Sequence, residues 1–235
     1  MKGTLYILPC SIGVDETSLM HLPANLKNYI DSINEYIVEN IRSARRFIRK
    51  VSQEKDISEI VFHEINKHEP NNLEAFLKSA MEGHNIGLLS EAGIASIADP
   101  GFETVSLAHE KGIHVQPVSG PSSIILALSA SGMNGQLFTF NGYLPIDQHN
   151  RVSKLKTLSK LASQNHTQIF MEAPYRNNPL LEDVLNHCLE EIKLCVACNL
   201  TQGNEYIKTL TLREWNAKKT KPDLHKKPAI FILGK

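Results

Sequence analysis

Two serine- and glycine-bearing segments carry the groups best suited to holding a small polar ligand. In the first, Gly87 to Gly101 (GLLSEAGIASIADPG), the apolar run Ile86 to Leu89 stops at Ser90-Glu91-Ala92-Gly93, and small residues lead on to Asp99-Pro100-Gly101. In the second, the run Ile113 to Val118 ends in Ser119-Gly120-Pro121-Ser122-Ser123 and turns straight into an apolar helix. Gly93, Gly101 and Gly120 allow backbone to approach a ligand closely. Ser122 and Ser123, at a helix start, offer hydroxyl and amide donors to an anionic or polar group. Loops of this kind lie outside the carboxyl ends of strands, where open α/β sheets bind ligands. Two in succession point to one pocket, although tight turns and helix caps would use the same residue types.

A third stretch, Glu39 to Lys50 (ENIRSARRFIRK), places Ile41, Ala44, Phe47 and Ile48 on one helical face and Arg42, Arg45, Arg46 and Arg49 on the other. A solvated helix face and a contact surface for phosphates are both consistent with that pattern.

Strand and helix alternate around these segments. Gly3 to Leu8 reads as a strand, Asn25 to Asn34 as a helix, Tyr36 to Val38 as a strand and Glu59 to Phe62 as another. Leu73, Phe76, Leu77, Ala80 and Met81 mark a helix capped by Asn71 or Asn72 and stopped by Gly83. A helix from about Phe102 to Lys111 joins the two ligand loops, and the alternation predicts a mainly parallel sheet. Beyond the breakers Gly132 to Gly135 the character changes. Leu137 to Asn141, Gln168 to Glu172, Leu194 to Asn199, Glu205 to Thr211 and Ala229 to Leu233 read as strands, the third and fourth antiparallel. Helices are expected around Val152 to Ala162 and after Asn178-Pro179, which reads as a cap. The expected architecture is α/β: an N-terminal lobe over residues 1–119 with a mainly parallel sheet, and a C-terminal lobe over 120–235 with a mixed sheet.

Composition narrows the function classes. The chain has 235 residues, 42% of them hydrophobic and 21% charged, with 25 cations balancing 25 acids, as in an ordinary globular protein. Net neutrality disfavours a protein that coats nucleic acid nonspecifically. No apolar stretch is long enough to span a membrane, and the first residues read as a core strand rather than a signal peptide, so the expected location is cytoplasmic. Four cysteines make no disulfide framework in that setting. Cys195 and Cys198 fall on opposite faces of a strand and are expected to be core residues rather than a metal pair. The ten histidines are scattered; His63 and His68 read as surface residues flanking a turn, and no metal site is expected. There is no P-loop motif, no G-x-G-x-x-G after the first strand and no G-x-S-x-G elbow.

Taken in order, Gly3 to Ile7 (GTLYI) with Pro9 and Ile12-Gly13, Ser90 to Gly93 (SEAG), Asp99 to Gly101 (DPG), Ser119 to Ser123 (SGPSS), Ala127 to Gly132 (ALSASG) and Asn141 to Pro145 (NGYLP) resemble the tetrapyrrole methylase superfamily. Those proteins are S-adenosylmethionine-dependent methyltransferases with two α/β lobes and the cofactor in the cleft between them. Within the superfamily the chain is most similar to the bacterial small-subunit ribosomal RNA ribose 2′-O-methyltransferases. Their H-E-H-N segment is matched by His63-Glu64-Ile65-Asn66 and their E-S-x-H-R by Glu172-Ala173-Pro174-Tyr175-Arg176. Other motifs depart: A-E-D-T-R is Val38-Glu39-Asn40-Ile41-Arg42, S-D-A-G-T-P is Ser90 to Ala95, R-E-L-T is Cys198-Asn199-Leu200-Thr201, and K-G-E is Lys226-Lys227-Pro228.

The resemblance implies S-adenosylmethionine as cofactor, held by Pro9, by Ser90, Glu91, Ala92, Gly93, Ile94 and Ala95, by Ser122 and Ser123, and by Leu144, Met171, Pro228 and Ala229. It also implies ribosomal RNA as acceptor and a homodimer. Methyl transfer is an in-line displacement that depends on alignment, and a ribose hydroxyl must lose a proton. Glu39 and Glu64, with Glu91 and Glu172 beside them, are the candidate bases, and Arg42 and Arg176 the candidate partners for phosphate or carboxylate. Two alternatives share the sequence pattern: a tetrapyrrole or other small-molecule acceptor, and a noncatalytic RNA-binding relative.

Overall fold

The computed structural model describes residues 1–66 and 71–235; His68 lies outside the described residues. The chain divides into two compact units, Met1–Ser122 and Ser123–Lys235. In chain order the first contains β1 (Thr4–Ile7), β2 (Pro9–Cys10), α1 (Leu26–Ser32), β3 (Glu35–Val38), α2 (Ile41–Val51), β4 (Val61–Glu64), α3 (Leu73–Phe76), α4 (Lys78–Met81), β5 (Ile86–Leu89), β6 (Gly93–Ile94), α5 (Phe102–Glu110) and β7 (His114–Pro117). Five of the strands form one sheet in the order β4-β3-β5-β1-β7. All of its pairings are parallel.

Burial on both faces explains why β5 is an unbroken apolar run. Tyr36, Val38 and Leu89 face a core shared with Leu26, Ile30, Ala44 and Ile48 of α1 and α2. Ile37, Ile86 and Leu88 face the opposite core, with Leu77, Ala80 and Ala108. The connection from β1 to β3 passes over β5 while that from β5 to β7 passes over β1. Connections therefore leave the adjacent strands β1 and β5 in opposite directions, the arrangement that opens a crevice at their carboxyl ends.

The second unit contains α6 (Ser123–Ser131), β8 (Phe138–Tyr143), α7 (Gln148–Ser163), β9 (Thr167–Met171), α8 (Asn177–His187), β10 (Lys193–Cys198), β11 (Tyr206–Thr211), α9 (Leu212–Ala217) and β12 (Ala229–Gly234). Its sheet has the order β11-β10-β12-β9-β8. The β8–β9 pair is parallel and the other three are antiparallel, so this sheet is mixed. Phe170, Leu194, Val196 and Phe231 pack with Leu155, Val184 and Trp215 from α7, α8 and α9 in one core. Cys198 joins that core while Cys195, three residues away, takes the opposite side of the strand; both are buried.

Several elements differ from the sequence reading. A short 3-10 turn, Ile57–Glu59, capped by the Asp56 carboxylate accepting from the Ser58 amide at 2.9 Å, occupies the start of the expected strand at Glu59. Pairing with β3 therefore begins at Val61 and carries His63 and Glu64 into β4. His63 is not a surface turn residue: its Nε2 lies 2.7 Å from Glu35 Oε1, and its ring stacks on Phe76 at 4.8 Å. The helix expected over Leu73 to Met81 is broken at Leu77 (φ −97°, ψ 2°). Leu77 and Ala80 of the predicted stripe are buried across the break while Met81 is exposed, so periodicity reported part of the buried face and not the hydrogen-bond ladder.

Asn178 does not cap α8. Its amide donates to Asp223 at 2.8 Å and its oxygen accepts from the Leu224 amide at 2.8 Å, and the helix starts one residue earlier at Asn177. Helix α9 was absent from the sequence reading, although Thr211 and Glu214 form a reciprocal capping box at its start.

Candidate active site

Three loops of the first unit converge at the carboxyl edge of its sheet. Pro9–Cys10 and Gly93–Ile94 form a two-stranded antiparallel ladder, with Pro9 opposite Ile94 and Cys10 opposite Gly93. The Cys10 thiol donates to the Ser90 carbonyl at 3.1 Å. The loop after β7 closes on the same place. A Cβ built on Gly120 would lie 2.0 Å from Pro9 Cβ, so only glycine allows this approach. Pro9, Ser90, Gly93, Ala95 and Pro121 are buried while Glu91 and Ala92 are exposed. The β5 loop thus turns its tip outward over a packed base.

That loop is also conformationally unusual. Gly93 and Gly101 have positive φ, and so do Ser96 (71°) and Ala98 (63°), which carry side chains. Two such residues within three positions are costly and persist only where surrounding structure fixes them. Burial, reinforced by the charges of Asp99 and Glu39, pushes the Cys10 thiol pKa well up. It therefore stays protonated and acts as a hydrogen-bond donor between loops, not as a nucleophile.

Three of the candidate acids surround the start of α2 at this edge. The Glu39 carboxylate, one residue beyond β3, accepts from the Glu91 amide at 3.3 Å. The Glu91 carboxylate accepts from Ser43 Oγ at 2.9 Å. Glu64, at the end of β4, accepts from the Ile41 amide at 3.0 Å, and Asn40 caps the helix through the Ser43 amide at 2.9 Å. An anionic group at a helix N-terminus is stabilised by the unpaired amides and the macrodipole. Arg42 is exposed on the first turn of the same helix. Glu39, Glu64 and Glu91 thus belong to one cluster at the start of α2, on whose first turn Arg42 also lies. The sequence reading missed Asn40 and Ser43, whose N-x-x-S spacing is a helix-start signal.

In the second unit a different edge gathers Leu144, Met171, Glu172, Arg176, Pro228 and Ala229, while Ser122 and Ser123 lie at the start of α6. Met171, the last residue of β9, is paired with Tyr143 on one side and Ile230 on the other, which brings Leu144 and Ala229 to the same end of the sheet. The Asn199 amide donates to the Pro228 carbonyl at 3.0 Å. Glu172, next after β9, is buried; its Oε1 accepts from Arg176 Nη2 at 2.7 Å and from the Ala173 amide at 2.7 Å. Its carboxylate holds the Arg176 pKa above the usual value, so the guanidinium keeps its charge. The Arg176 guanidinium also sits 4.9 Å from the centre of the Tyr175 ring.

Polar capacity is left over here. Among the described residues, Glu172 Oε2, Arg176 Nε and Asn177 Oδ1 are buried with no hydrogen-bond partner, a costly condition that ligand groups of the opposite kind would relieve. Asn177, fully buried and tied through its amide to the Lys227 carbonyl at 2.7 Å, was missed by the sequence reading. Among the described residues no group of three or more His, Cys, Asp or Glu side chains is placed to hold a metal ion.

A doubly wound parallel sheet with glycine-bearing loops at its carboxyl edge, followed by a mixed-sheet unit with its own polar edge, defines a two-unit α/β protein. The model of the tetrapyrrole (corrin/porphyrin) methylases matches residues 28–216. The chain is 30% identical over 229 residues to the "Ribosomal RNA small subunit methyltransferase I" of Vibrio cholerae, covering 97% of this chain and 76% of that one. It is 32% identical to the protein of the same name from Pseudomonas aeruginosa, covering 90% and 71%. Its fold matches the crystal structure of uroporphyrin-III-C-methyltransferase from Thermus thermophilus with a TM-score of 0.57 at 16% identity, over 100% of this chain and 93% of that one. The chain belongs to the tetrapyrrole methylase family and is a methyltransferase.

Proposed function

We propose that the chain transfers a methyl group from S-adenosylmethionine to a ribose 2′-hydroxyl of small-subunit ribosomal RNA. The convergence of the Pro9, Gly93 and Gly120 loops at the sheet's carboxyl edge, beside the acids around α2, is the observation that carries the reading. The names of the similar proteins from V. cholerae and P. aeruginosa support RNA as the acceptor. The cofactor needs close backbone donors and acceptors more than fixed counter-charges. The residues present suit it: the β5 loop carries the small residues Ala92, Gly93 and Ala95, and the partnerless Glu172 and Asn177 oxygens suit amine or hydroxyl donors.

When bound, the cofactor supplies an electrophilic methyl carbon on a sulfonium. The chain's own part would be to hold the acceptor hydroxyl in line with that carbon and to take up its proton. In this reading the cofactor is held by Pro9, Ser90 to Ala95 and Ser122 in the loops of the first unit and by Ser123 at the start of α6. Leu144, Met171, Pro228 and Ala229, gathered at one end of the second sheet, are further cofactor residues in the same reading. Glu39 and Glu64 receive the proton or align the hydroxyl, while Arg42 and Arg176 each serve as a partner for a phosphate or a carboxylate. The reaction takes place in the cytoplasm, and the chain works as a homodimer.

Calorimetry with S-adenosylhomocysteine, followed by methylation of small-subunit RNA with tritiated cofactor, tests the reading. Label is expected in RNA at a linkage that resists alkaline cleavage, because a methylated 2′-oxygen cannot attack its phosphodiester. Cofactor binding with no label in RNA would move the acceptor to a small molecule, and no cofactor binding at all would remove the reading.

A further inference from the structure

We propose that the outer face of α2 is a phosphate-gripping groove for the RNA acceptor, in which Arg45, Arg46 and Arg49 hold the sugar-phosphate backbone beyond the acidic cluster at the start of that helix. The inference rests on the RNA-acceptor reading and adds to it a place on the molecule where the strand is held.

The helix Ile41–Val51 carries five cations and no acid, in a chain whose charges balance overall. Surface helices ordinarily offset cations with acids three or four residues away, and this one does not. Among the described residues no carboxylate forms an ion pair with Arg42, Arg45, Arg46 or Arg49. Asp56 is the acid close enough to sense Arg49, and its carboxylate accepts from the Ser58 amide at 2.9 Å and hydroxyl at 2.7 Å.

The arginines also share a concavity. Arg45, Arg46 and Arg49 line a hollow of about 530 Å³ whose other wall is Ile57 and Ser58. Three guanidinium groups around one hollow repel one another until an anion enters. Arginine's planar fork suits phosphate oxygens in particular. One of the three is held in place: the Arg45 guanidinium lies 5.3 Å from the centre of the Phe62 ring, which stacks on Tyr36 at 6.0 Å. At about 1.5 Å of rise per residue, positions 45 and 49 lie roughly 6 and 12 Å along the helix from Ile41. A strand whose ribose reached the acidic cluster could therefore run its phosphates along α2.

The test is fluorescence anisotropy of a fluorescein-labelled single-stranded RNA of about 20 nucleotides with the wild type and with the variant carrying Arg45→Gln, Arg46→Gln and Arg49→Gln, from about 50 to 200 mM salt. Gln keeps helix propensity, and the Arg46→Gln, Arg49→Gln pair serves if loss of the Phe62 contact harms folding. The variant should bind roughly tenfold or more weakly at the lowest salt. Its plot of log affinity against log salt should flatten by about 0.7 per lost phosphate contact, or roughly two overall. S-adenosylhomocysteine affinity should not change. Wild type and variant binding RNA alike would overturn the groove and leave the RNA-acceptor reading standing, whereas a wild type that binds no RNA would overturn both. Loss of binding to phosphatidylserine vesicles with RNA binding intact would reassign the face to a membrane surface and overturn the proposal.

Discussion

Gly120 is the residue on which the convergence of loops in the first unit most visibly depends. A methyl group there would fall 2.0 Å from Pro9 Cβ and 2.6 Å from Pro9 Cγ, atoms of a ring that cannot rotate away. Gly120→Ala should therefore push the β7 loop from the β1 loop and destabilise the protein by about 1–3 kcal/mol, as overpacking does. S-adenosylhomocysteine affinity should fall with it. Gly135→Ala, where a Cβ meets nothing within 4 Å, is the matched control. Equal melting temperatures for the two variants would show that the loops do not need their close contact. The loops after β5 and β7 were legible as chain breaks, because glycine, serine and proline interrupt two apolar runs there. Their mutual contact was not legible, since neither proline nor glycine announces the short ladder that Pro9 and Gly93 belong to.

At the scale of elements, the second unit joins α7 to α8 through a buried charge pair. Arg151 Nη2 and Asp183 Oδ2 are 2.7 Å apart with side chains only 9% and 7% exposed. Gln148 donates to the other Asp183 oxygen at 2.9 Å, and Arg151 Nη1 donates to the Ile146 carbonyl at 2.7 Å. Such a pair is weak support for stability as a whole, yet removing one partner strands the other. Asp183→Ala is expected to cost about 3–5 kcal/mol, read as a lower urea midpoint, and a cost below 1 kcal/mol would mean that water reaches Arg151. The sequence reading gave this helix pair its apolar stripes, because Leu155, Leu158, Leu181 and Val184 recur at helical spacing. It could not supply the ion pair, whose members stand 32 positions apart. The strand expected from Glu59 starts at Val61 instead, because the Asp56-capped turn runs through Glu59 first.

Across the whole molecule, burial pushes up the pKa values of Cys10 and Tyr36 in the first unit and of Cys188, Cys195 and Cys198 in the second. Cys188 is the clearest case, raised by desolvation to about 12. An unfolded chain releases thiol protons near pH 8.5, so above that pH the unfolded state binds fewer protons than the native one and gains ground. Stability should be unaffected by these groups below pH 8, then decline as pH rises towards about 12. Urea midpoints at pH 8 and 10.5 measure the decline, which Cys188→Ser should reduce; a flat profile would mean that the thiols titrate freely in the native protein. The α/β class and the change of sheet type along the chain were legible from alternating strands and helices. The order of strands was not, because which strand sits beside which is fixed by packing at long range.

One such placement bears on how the protein is made. Strand β12, at residues 229–234, lies between β9 and β10 and pairs with both. Until a ribosome has released those residues, the second sheet is two separate halves, each with a bare edge of unpaired amides and carbonyls. A nascent chain halted before that point is therefore not a slightly shortened enzyme. It is a fragment with two open sheet edges, each a template for pairing with another chain.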